Sequence, residues 1–86
     1  DLVTDDAYGL LARLLGRIAP EVDLDTIDRS APLQDVADLD SMDFLNLMAA
    51  LHEETGIDVP ERDYPEIASI DGFVTYLSRA LADRTG

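Results

Sequence analysis

The chain has 86 residues and a mass of 9.4 kDa, which gives room for one core and excludes a deep catalytic cleft between two domains. Its 19 Asp and Glu face only 6 Arg and no Lys, for a formal charge of −13; without clustered cations, nucleic acid and anionic membranes are poor partners, and basic protein surfaces are good ones. There is no Cys, hence no disulfide, thiolate metal site or cysteine nucleophile, and no window nears the roughly 18 apolar residues of a membrane span, so the expectation is a cytoplasmic protein without stable membrane insertion.

The first helix is marked by Leu10, Leu11, Leu14, Leu15 and Ile18 at helical spacing, with Thr4 as its expected cap, Asp5 and Asp6 in the positive first turn and Pro20 as its stop. Arg13 and Arg17 fall on the opposite side and are expected to meet water. The segment of about twenty residues from Pro20 to Asp40 fits neither a helical nor a strand period. It carries apolar anchors at Val22, Leu24, Ile27, Leu33, Val36 and Leu39, as a long connection folded over a core would. Residues 20–66 hold fourteen acids and two Arg, so this middle segment carries nearly all of the negative charge.

The second main helix is predicted over Ser41 to Thr55, ending at Gly56 as a left-handed terminator. At 100° per residue, Phe44, Leu47, Met48 and Leu51 form one stripe. Met42, Leu45 and Ala49 form another nearly opposite, with Asn46 and Glu53 beside it. One helix of a small bundle does not bury both faces. The first stripe is therefore core, and the second is a docking surface unless the long connection covers it. Beyond Gly56, Ile57 to Pro60 reads as an extended connector, and Glu61 to Tyr64 as a short helical turn that Pro65 interrupts. A last helix from about Ser69 places Ile70, Phe73, Val74, Leu77 and Leu81 on one face, with Gly72 weakening its first turn by roughly 1 kcal/mol relative to Ala. The predicted fold is all-α: a small four-helix bundle of three main helices and one short helix, forming a single domain over residues 1–86.

The chemistry this chain can perform alone is limited. The single His, His52, lies about 16 Å along the helix axis from Ser41, too far for a nucleophile and its base. Asp23-x-Asp25 and Asp38-x-Asp40 open like calcium loops, but the places that follow lack the required Gly and Glu, so no metal site is expected. Ser41 stands out instead. Asp40 beside it caps a helix equally well, so the start of the helix has two capping residues where one suffices, and the serine hydroxyl is left for another use. A helix start also favours a phosphate, through its unpaired N–H groups and dipole.

The stretch Asp38-Leu39-Asp40-Ser41-Met42-Asp43 resembles the Asp-Ser-Leu/Met attachment motif of acyl carrier proteins, whose serine receives 4'-phosphopantetheine from coenzyme A. The chain length, the long loop before the serine, the pattern Glu53-Glu54 to Val59-Pro60 and the closing Tyr76-Leu77 extend the resemblance over essentially the whole chain. It implies an acyl-carrier-like bundle that is not an enzyme. Ser41, next to Asp40, would carry a covalent 4'-phosphopantetheine whose terminal thiol holds acyl groups as thioesters for fatty-acid, specialised lipid or polyketide synthesis. The resemblance also implies that Asp40, Met42, Leu45, Asn46, Ala49 and Glu53 form the surface read by partners. These would be a phosphopantetheinyl transferase and acyl-activating, acyltransferase or synthase enzymes with basic docking surfaces, met by a monomeric carrier. An acyl pocket is expected near Phe44, Leu47, Leu51, Val59, Tyr64 and Ile67. Asn46 stands where carriers of fatty-acid synthesis commonly have Glu, Tyr64-Pro65 adds bulk and a break, and Val36 to Leu39 lacks the Gly-Gly pair common in peptidyl carriers. These departures favour a carrier of a specialised lipid or polyketide pathway. The alternatives are an aminoacyl or peptidyl carrier and an unmodified acidic helical interaction domain.

Overall fold

A computed structural model describes residues 2–85. Helices α1 (Leu2–Ile18), α2 (Leu33–Val36), α3 (Ser41–Thr55) and α4 (Ile70–Thr85), with a 3-10 helix (Glu61–Ile67) before α4, make an all-α bundle; no strand occurs among the described residues. Ala7, Leu10, Leu11, Leu14 and Leu15 of α1 meet Phe73, Val74 and Leu77 of α4 and Leu47, Ala50 and Leu51 of α3 in one core. Among the described residues every buried side chain is apolar, so burial alone, at about 25 cal/mol per Å², carries the packing. Helix α1 begins at Leu2, so Thr4 lies inside its first turn and is not its cap.

Five of the six expected anchors hold the segment before α3, with Leu24, Leu33 and Leu39 buried and Val22 and Ile27 packed partly against the core, whereas Val36 is half-buried and stands outside the core cluster. Two of the segment's acids are turn formers. Asp23 accepts from the Asp25 amide, and Asp28 accepts from the hydroxyl and then the amide of Ser30, which hold its carboxyl below the usual carboxylate range. Helix α2 is a single turn within this segment that no periodicity reveals; it forms because Pro32 starts it and the Leu33 amide donates to the carbonyl of Ala68, across the chain. Arg29 clamps the same region: it lies over the Tyr8 ring at 4.8 Å, pairs with Asp71 at 3.2 Å, and its carbonyl accepts from the Asp71 amide.

Three local readings change in three dimensions. Arg13 and Arg17 are exposed but not left to water: both reach Glu54, at 3.2 and 3.5 Å, and tie α1 to α3. The helical turn expected over Glu61 to Tyr64 continues through Pro65 to Ile67, because 3-10 geometry accepts the ring's fixed φ. Tyr76 on α4 holds this segment by donating to Asp63 at 2.7 Å; its own partial burial, then that bond, push its pKa up to about 12. Gly72 is more than a weak spot in α4. A Cβ there would collide with the carbonyl oxygen of Glu66, so the missing side chain is what lets α4 pack on the end of the 3-10 helix.

The approach to α3 contains Asp38 at φ 52, the one described non-glycine residue in the left-handed region. Asp tolerates this backbone better than branched residues do. Asp38→Val is therefore expected to lower stability in urea denaturation by about 1–2 kcal/mol, whereas Asp38→Gly should cost nothing. Equal losses from both would place the effect in the lost carboxylate instead.

Candidate functional site

The site is the start of α3. Asp40 is the N-cap: its Oδ1 accepts from the Asp43 amide at 2.8 Å, and the Asp43 carboxylate accepts in return from the Asp40 amide at 3.4 Å, forming a reciprocal capping box. Asp40 and Asp43 thus take the structural role that a serine at this junction would otherwise fill. Ser41, the first helical residue, is exposed.

The serine hydroxyls separate clearly. Ser30 donates to Asp28 at 2.8 Å, Ser69 accepts from the Gly72 amide at 3.1 Å as it caps α4, and Ser78 donates to the Val74 carbonyl at 2.7 Å. The Ser41 hydroxyl alone makes no hydrogen bond among the described residues. It is accessible and uncommitted, and it lies at the positive end of a fifteen-residue helix. The first-turn N–H groups there have no acceptor within the helix, other than the Asp43 amide held by the cap.

Two surfaces extend from Ser41. Along α3, Met42, Leu45, Asn46, Ala49 and Glu53 are all exposed, at spacings that put them on one stripe. Among the described residues, Met42 at 68% and Leu45 at 57% are the large apolar side chains that the fold leaves in solvent. The connection before α3 does not cover this face. Asp40 at its top and Glu53 at its lower end supply carboxylates, and His52 is a surface residue of the same helix.

The second surface is a groove of about 440 Å³ between α2, the start of α3 and the 3-10 helix. Ser41, Phe44 and Leu45 form one wall, Leu33 and Gln34 another, and Tyr64, Pro65 and Ala68 the third. Only two of the six residues expected around an acyl chain, Phe44 and Tyr64, line it. Leu47, Leu51 and Ile67 are completely buried and Val59 is 8% exposed, so these four are core residues. Nothing in the sequence pattern marks Gln34 or Ala68 as groove residues, and Pro65 stands out only as a helix breaker. Pro32 directly before a short apolar-polar run was the available sign of a helical turn on that side.

This geometry fits a phosphate-linked arm at Ser41: a free hydroxyl, a helix start to receive the phosphate, and a largely apolar groove with one amide side chain beside it. Residues 8–77 match the family model described as phosphopantetheine attachment site. The chain is also similar to a mitochondrial acyl carrier protein of Neurospora crassa, 29% identical over 76 residues, which is 88% of this chain and 57% of that protein. It thus spans little more than half the length of that curated relative.

Proposed function

The chain belongs to the phosphopantetheine-attachment family, and from that membership we propose that it is an acyl carrier whose tether is Ser41. The group it carries is covalently attached 4'-phosphopantetheine, which supplies a terminal thiol for holding acyl units as thioesters. The observation that carries the assignment to Ser41 is its exposed hydroxyl, left without a hydrogen bond because Asp40 and Asp43 cap the helix between themselves. In the loading step, Ser41 Oγ bonds to the pantetheine-side phosphorus of coenzyme A. The pyrophosphate P–O bond breaks, adenosine bisphosphate leaves, and the hydroxyl proton passes to a base on the transferase. A mass gain on incubation with coenzyme A and a phosphopantetheinyl transferase tests the assignment.

The whole chain serves as one carrier domain, with the core running through every helix. Partners read Asp40, Met42, Leu45, Asn46, Ala49 and Glu53, a small apolar stripe with carboxylates at both ends. Such a surface suits contacts that must form quickly and release, because steering charge raises the encounter rate without a large buried interface. Transferases, acyl-activating enzymes and synthases with basic docking surfaces are its expected partners. The charge of −13 keeps copies of the carrier apart, as a monomer. Glu53→Lys is expected to slow loading by about fivefold at low salt, with the difference shrinking towards 1 M, where the Debye length falls to about 3 Å. A rate indifferent to both the substitution and salt would remove Glu53 from the docking surface.

The apolar groove favours acyl over aminoacyl cargo, and Asn46 together with Tyr64-Pro65 favours a specialised lipid or polyketide pathway over bulk fatty-acid synthesis. The proposed location is the cytoplasm, with which the Cys-free composition is compatible. Among the described residues no helix is long and apolar enough to cross a membrane.

A further inference from the structure

We propose that the Phe44–Tyr64 ring pair closes the inner end of the groove beside Ser41, so that this carrier shelters short acyl chains and leaves the outer part of long ones in solvent. The inference rests on Ser41 being the tether. The two rings meet edge to face, with centroids 5.1 Å apart and planes at 77°, and both line the groove while packing partly against the core. One turn further along each element stand Leu47 and Ile67. Both are completely buried and neither belongs to the groove lining. A chain entering from Ser41 therefore meets the aromatic pair before it can reach the interior beside Leu47 and Ile67.

The segment that carries Tyr64 is held in place from both sides. Tyr76 of α4 bonds Asp63, the Leu33 amide bonds the Ala68 carbonyl, and the close approach at Gly72 fixes the end of the 3-10 helix against α4. These contacts hold the backbone that carries Tyr64, and the ring itself is held by its edge-to-face contact with Phe44 and its packing on the core. An edge-to-face pair is also favourable beyond the area it buries, so a chain that parts the rings loses that attraction before it gains burial. The groove itself is apolar and open, which lets it cover the first methylenes next to the thioester.

Removing one ring should convert the stop into a passage. With Tyr64→Ala the volume vacated by the ring opens towards Ile67 and Leu47, and each further methylene that enters should be held about fourfold more tightly, the equivalent of ~0.8 kcal/mol per buried CH₂. Tyr64→Phe keeps the ring and should keep the stop.

The test uses the full chain modified with phosphopantetheine and loaded with saturated acyl groups from acetyl to dodecanoyl. Two readouts are followed: the rate at which hydroxylamine cleaves each thioester, and the ring-proton shifts of Phe44 and Tyr64. In the native chain and in Tyr64→Phe, cleavage should slow from acetyl to about hexanoyl and then level off, with ring shifts that also stop changing there. In Tyr64→Ala, cleavage should go on slowing through dodecanoyl. Tyr64→Leu, which retains more packing, is read the same way if the alanine variant loses its helical circular dichroism. Protection that grows steadily to dodecanoyl in the native chain overturns the inference, as does a length dependence in Tyr64→Ala, or in Tyr64→Leu where it stands in, identical to the native one. Absence of a mass gain at Ser41 would overturn the carrier reading itself; a modified protein with the wrong length dependence overturns only the aromatic stop.

Discussion

Ser41→Ala is expected to abolish modification by coenzyme A and a phosphopantetheinyl transferase completely, while leaving the folding stability within about 0.5 kcal/mol of the native chain. The two halves of this result belong together. Were Ser41 the cap of α3, its loss would cost about 1 kcal/mol, as for other capping residues. Here the cap is Asp40, which accepts from the Asp43 amide at 2.8 Å, so the cap penalty should fall on Asp40→Ala instead. Measuring mass gain and urea stability on both variants separates tether from cap. A Ser41→Ala chain that is still modified, or that loses stability as Asp40→Ala does, would reverse the roles.

The second large effect is expected at Gly72, with a sign opposite to the one helix propensity gives. In an exposed helix, Gly→Ala gains roughly 1 kcal/mol. In α4 the added methyl would run into the Glu66 carbonyl oxygen, which is backbone and cannot rotate away. Either α4 shifts from the 3-10 helix or the Glu66 peptide turns, and Gly72 is also the residue whose amide bonds the Ser69 cap at 3.1 Å. Gly72→Ala should therefore destabilise by about 2 kcal/mol net, within the usual cost of overpacking. For a domain of this size that is a fall in Tm of roughly 10 °C. A raised Tm would show that α4 and the 3-10 helix can separate freely, and would undercut the rigid placement of Tyr64.

Much of this architecture was legible in the chain. The bounds of α3 followed from two capping residues at one end and Gly56 at the other, and Gly56 does adopt φ 75. The two stripes of α3 followed from spacing alone, and the exposure of Met42 and Leu45 agrees with the second. The redundancy of Asp40 and Ser41 pointed to a free hydroxyl before any coordinates did. What stayed hidden depends on contacts between segments distant in sequence. Helix α2 exists because Leu33 finds Ala68, and the 3-10 helix persists through Pro65 because Tyr76 and Gly72 hold it. The groove lies between those two pieces, so its walls could not be read from periodicity. Leu47, Leu51, Val59 and Ile67 have the composition of an acyl pocket and the position of a core, and only packing distinguishes the two.

The most direct measurement of the central claim is the site of modification. The native chain, incubated with coenzyme A and a phosphopantetheinyl transferase, should gain one phosphopantetheine by intact mass, and fragmentation should place all of it on the peptide containing Ser41. An unchanged mass, or a gain carried by Ser30, Ser69 or Ser78, whose hydroxyls are already engaged in hydrogen bonds, would contradict the account.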